Sequence, residues 1–104
     1  MKTETICGER VIIKNEVIAF YASEMKHIES EYKSGKNVNL ILASVIEISV
    51  SVGEQVKSMP YEQREDTWIA LLRLVTPRWW QTDPVWHEVL TVSEKLLNRS
   101  RLSS

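Results

Sequence analysis

The chain has 104 residues, 43% hydrophobic and 26% charged, with 13 Lys and Arg against 14 Asp and Glu for a formal net charge of −1. That length and balance suit one globular domain over 1–104 with its own hydrophobic core. They exclude a generally disordered chain and a strongly cationic nucleic-acid binder.

A single cysteine, Cys7, allows no intramolecular disulfide and no CxxC pair. This favours a reducing, cytoplasmic setting. Met1-Lys2-Thr3-Glu4-Thr5 has no apolar run behind its lysine, so no secretory signal is expected. The apolar stretch Val38–Val52 is interrupted by Asn39, Ser44, Glu47, Ser49 and Ser51 and reads as too short and too polar for a bilayer span. No membrane partner is expected.

Residues 1–12 read as an irregular or extended lead-in. Thr3–Cys7 and Glu9–Ile13 could instead pair as a hairpin around Gly8, or Glu9–Ile13 could extend the first helix. The first helix is predicted over 13–34. Ile18, Tyr21, Met25, Ile28 and Tyr32 recur at steps of three and four, and Gly35 suits the C′ position.

The second helix is predicted over 37–58, with Asn37 as N-cap. Ile46–Val52 alternates like a strand, which leaves an α+β alternative if 40–52 is a strand. At 100° per residue, however, Val38, Ile41, Leu42, Val45, Ile46, Ile48, Val52 and Val56 share one broad arc. Glu47, Glu54 and Lys57 fall opposite, and only Leu40 and Val50 lie off the arc. The wide arc predicts a central position for this helix.

The third helix is predicted over 60–76, opening at Pro60 with Glu62, Glu65 and Asp66 at its positive end and stopping at Pro77. The fourth is predicted over 83–101. Asp83 caps, Pro84 takes the first helical position, and Lys95, Arg99 and Arg101 load the C-terminal end. Short connections would set consecutive helices antiparallel and in contact. The fold class expected is all-α, a compact antiparallel four-helix bundle.

Catalytic equipment is not signalled. His27 and His87 fall on charged helix faces without metal-ligand spacing, and there is no HExxH, GxSxG or phosphate-binding loop. Glu62, Glu65 and Asp66 read as a favourable helix start rather than a metal site. No catalytic residue, metal or cofactor is assigned, and the chain is read as a non-enzyme.

Two features rise above this background. Arg73, Arg78, Trp79 and Trp80 cluster around the third interhelical connection, with Trp86 close behind. Trp and Arg are the residues most enriched at binding hot spots. Phe20 falls among Glu24 and His27 on an otherwise polar face, a second candidate contact for self-association or a partner. These residues point to a protein–protein interaction module that occupies the surface of a larger protein. A small inhibitor, an immunity-type factor or a regulatory subunit would each fit. Phage- or plasmid-encoded inhibitors share this economy, an analogy only. The alternative is a nucleic-acid-associated helical protein using the Arg/Trp end, with less support because neither half of the chain is basic.

Overall fold

The computed structural model describes residues 3–6, 9–76 and 82–102. Strands β1 (Thr3–Ile6) and β2 (Glu9–Ile12) precede helices α1 (Glu16–Lys33), α2 (Val38–Lys57), α3 (Tyr61–Val75) and α4 (Pro84–Leu102). The all-α reading holds, with helix boundaries within three residues of those expected. The segment 40–52 is helical, so the α+β alternative is ruled out.

Within the lead-in, residues 3–6 and 9–12 are extended and paired, as in the hairpin alternative. β1 and β2 pair antiparallel in the register Thr3↔Ile12, Glu4↔Val11, Thr5↔Arg10 and Ile6↔Glu9. β-branched residues stabilise the pair, and alternation turns Val11 into the core while Arg10 and Ile12 stay exposed. β1 packs against α1 and β2 against α3.

Local chemistry sets the helix ends. Asn15 is extended, and its side chain accepts a bond of 3.0 Å from the Ile18 amide, so α1 begins at Glu16 rather than 13. The Asn15 amide also donates to Thr67 Oγ1 at 3.0 Å, fastening the start of α1 to α3. Gly35 takes φ 95, and the Lys36 amide reaches back to the Glu31 carbonyl at 3.1 Å, which closes the C-terminus of α1. The Asn37 side chain accepts from the Asn39 amide at the head of α2. Pro60 stands just outside α3 as its N-cap, one position earlier than expected. Arg64 joins α3 to the end of α2, donating to the carbonyls of Met59 at 2.9 Å and Lys57 at 2.8 Å.

Consecutive helices alternate in direction, but they are not all neighbours. α2 packs most extensively against α4 and then α1, while α2 and α3 touch only sparingly. The order around the bundle is therefore α1, α2, α4, α3. α2 and α4 lie side by side and run the same way, with Gly53 opposite Ser100. This corrects the expectation that every short connection joins packed neighbours. The Ser58–Pro60 link crosses the bundle instead.

One cluster of buried residues fills the interior, built on Tyr21, Met25, Ile41, Val45, Val52, Trp68, Leu71, Leu74, Trp86, Leu90 and Leu97. Each such side chain contributes about 1.5–3 kcal/mol when removed from water, largely offset by chain entropy. The Tyr21 hydroxyl donates to Ser93 Oγ at 3.3 Å across this core. The Cα radius of gyration, 13.0 Å, is that of a compact chain of this length.

Candidate functional site

The structure leaves a broad apolar surface where α2 and α4 run side by side. On α2, Ala43, Ile46 and Val50 repeat at three and four residues and face outward. Ile46 is 44% exposed and Val50 56%. On α4, Val85 is exposed and Val92 and Leu96 are half-buried on the flank turned toward α2. Charges frame these aliphatic groups: Glu54 and Lys57 on α2, and Glu88, Lys95 and Arg99 on α4, all but the half-buried Lys57 exposed. A groove of about 260 Å³ between the helices is lined by Ser49, Val50, Glu54, Leu96, Arg99 and Ser100.

Small residues bring the two helices this close. Ser49 and Gly53 are buried on α2, and Ser93 is buried on α4. A Cβ on Gly53 would stand 2.4 Å from Ser100 Oγ, so only glycine fits without a shift. Ser49 Oγ is buried and has no hydrogen-bond partner among the described residues. The seam is thus held by packing and lies directly beneath the exposed aliphatic strip.

This face corrects two expectations. Ile46 and Val38 were assigned to the buried arc of α2 but are exposed, and α2 is not enclosed at the centre. The signal was already in the sequence: an apolar arc too wide for one contact, with Leu40 and Val50 outside it. Whereas the shorter stretch Val38–Val52 reads as too short and too polar, an 18-residue window of α2 reaches a mean hydropathy of 1.3, so by length and composition alone the whole helix could cross a membrane. In the bundle it supplies Ile41, Val45, Ile48, Val52 and Val56 to the core.

The residues singled out in the sequence are distributed elsewhere. Arg73 is exposed in the last turn of α3. Phe20 is 37% exposed on α1, on the stripe that carries Glu16, Glu24 and His27. Neither belongs to the α2–α4 face. Arg78, Trp79 and Trp80 lie outside the described residues. The other two tryptophans, Trp68 and Trp86, are core residues.

The connection that carries Arg78–Trp80 leaves α3 at Thr76 and returns at Thr82, where the start of α4 is firmly anchored. Asp83 Oδ1 accepts from the amides of Val85 at 3.0 Å and Trp86 at 3.1 Å. The Tyr32 hydroxyl donates to the same carboxylate at 2.8 and 3.0 Å, and the Tyr32 ring stacks on Trp86 with centroids 5.1 Å apart. The hydrogen bond from the Trp86 amide, followed by that from the Tyr32 hydroxyl, holds the Asp83 carboxyl below its ordinary range. The same contact raises the Tyr32 phenol.

Two further depressions carry polar groups. Between α3 and α4, Tyr61, Glu62, Arg64, Glu65, Trp68, Arg101 and Leu102 line a cleft of about 540 Å³, bridged by an Arg101–Glu65 ion pair. Between α1 and α2, Glu24, His27, Glu31 and Glu47 edge a shallow groove. There Lys36 donates to Glu31 at 2.5 Å and lowers that carboxyl, and His27 stands 3.5 Å from it. Among the described residues, no group of three or more His, Cys, Asp or Glu side chains is placed to hold a metal ion.

No protein-family model matches the chain, and no curated protein or solved structure matches it.

Proposed function

We propose that the chain is a non-enzymatic protein–protein interaction module that docks through its α2–α4 face, in the role of a small inhibitor, immunity-type factor or regulatory subunit. The observation that supports this reading is the exposed strip Ala43, Ile46, Val50 and Val85, continued by the half-buried Val92 and Leu96. A contiguous apolar surface framed by charge is the anatomy of a docking face, whereas isolated exposed aliphatics carry no such meaning. The core does not need these side chains, because α2 and α4 are already joined beneath them by Ser49, Gly53 and Ser100.

Val50→Glu places a charge at the centre of the strip on a side chain that is 56% exposed, so the fold tolerates it. A protein retained stoichiometrically by the wild type should be lost by this variant, while helicity by circular dichroism is unchanged. Equal retention by folded wild type and folded variant would remove the α2–α4 face from the account. The Arg73, Arg78, Trp79 and Trp80 end is then the remaining surface, and alanine at Trp79 and Trp80 tests it in the same assay.

A further inference from the structure

We infer that the α2–α4 face is self-complementary and that its occupant is a second copy of this chain, with each helix antiparallel to its counterpart. This rests on the reading of that face as a docking surface. Charge along the face carries the argument. α2 and α4 run in the same direction, so their basic ends coincide: Lys57, Lys95 and Arg99 gather toward one end with Glu54 among them, while Glu88 stands near the other. Among the described residues, neither Glu88 nor Arg99 forms an ion pair.

A parallel copy would bring both basic ends together, with Glu54 alone set against Lys57, Lys95 and Arg99, and would place like helix ends side by side, a net repulsive arrangement. An antiparallel copy sets each basic end over the partner's Glu88. The registers of the two helices then nearly agree. Pairing Ile46 with Val50 of the other copy puts the two-fold axis level with Ile48. Pairing Glu88 with Arg99 of the other copy puts it between Ser93 and Glu94. Because Gly53 stands opposite Ser100, that second position is level with Ile46 and Glu47. The two placements differ by between one and two residues, roughly 2 Å along a helix.

A single two-fold axis thus pairs aliphatic with aliphatic on both helices: Ile46 with Val50, and Val92 with Leu96. It also closes two Glu88–Arg99 pairs at the rim, which is the isologous contact of a symmetric dimer. Glu47 lies at the edge nearest α1, where solvent screens it from its own copy.

The test is a charge-exchange cycle read by sedimentation equilibrium at about 5–200 µM, with circular dichroism as the check on folding. The wild type is expected at twice 12.1 kDa in this range. Glu88→Arg and Arg99→Glu, both on exposed side chains, should each weaken dimerisation about tenfold or more. Together they should restore it to within about threefold of the wild type.

A wild type that stays at 12.1 kDa throughout overturns the dimer. If Val50→Glu still abolishes binding to another protein in that case, the docking face stands with a different occupant; if it does not, both readings fall. Rescue of Arg99→Glu by Glu54→Arg in place of Glu88→Arg would overturn the antiparallel arrangement, since a parallel copy pairs Glu54 with Arg99.

Discussion

Gly53→Ala tests the seam on which the α2–α4 face is built. In an isolated helix this change would stabilise by about 0.5–1 kcal/mol, because glycine loses more backbone entropy than alanine. In the bundle the new methyl group would stand 2.4 Å from Ser100 Oγ and 3.2 Å from Ser100 Cβ. Carbon contacts settle at about 3.5–4.0 Å, so either α4 retreats or the Ser100 hydroxyl rotates and gives up its present interaction. Overpacking of this kind costs about 1–3 kcal/mol, and the propensity gain offsets only part of it. We predict a net loss of about 1–2 kcal/mol, read as a lower urea midpoint with unchanged slope. Adding Ser100→Ala removes the closest atom and leaves only the milder Cβ contact, so about 1 kcal/mol should return. If Gly53→Ala alone is more stable than the wild type, the helices do not approach as described. The parallel α2–α4 seam would then be wrong.

Other positions yield independent outcomes. Asn15→Ala removes the cap of α1 and its tie to Thr67, and should cost about 1–2 kcal/mol by the same urea assay; a neutral result would mean the cap is idle. Ser49→Ala deletes a buried hydroxyl with no partner among the described residues, and should leave stability equal or raise it by up to about 1 kcal/mol. A clear loss would reveal a bond that this account lacks. The Asp83 carboxyl is held below its ordinary value of 3.8, so its contribution is fully present above that pH and fades as pH falls through the lowered folded-state value. The stability advantage of wild type over Asp83→Asn should therefore be visible at pH 7 and vanish in strong acid; a pH-independent difference would contradict the Trp86 and Tyr32 bonds as its cause.

Much of the fold was legible because local signals agreed. Gly35, Asn37 and Asp83 mark helix ends by chemistry that acts within a few residues, whereas the Asn15 cap went unread and the start of α1 was placed three residues early. The apolar periodicity of α1 maps directly onto Ile18, Tyr21, Met25 and Ile28, all buried. Alternation over Ile46–Val52 did not make a strand, because Ile41, Val45, Ile48, Val52 and Val56 bury together at helical spacing and so outweigh it.

The arrangement of helices was less legible. That α2 neighbours α4 rather than α3 depends on Ser49, Gly53 and Ser100 meeting across about fifty residues of chain, and small residues leave no periodic trace. The candidate site was missed for a related reason. A wide apolar arc on α2 was equally compatible with a central helix and with a flank that borders a second surface. Val50 already lay off the arc, but only the position of α4 decides that Ile46 faces outward with it. The Trp and Arg residues drew attention by type, whereas the face is made of ordinary valines and isoleucines distinguished only by where they stand.

Self-association through the α2–α4 face is read from the mass of Val50→Glu beside the wild type, measured by sedimentation equilibrium at matched concentration. The wild type is expected at twice 12.1 kDa and the folded variant at 12.1 kDa, since a carboxylate at the middle of the strip would be buried against the other copy's Ile46. Equal masses for the two proteins, whether both dimeric or both monomeric, would contradict a self-complementary α2–α4 face.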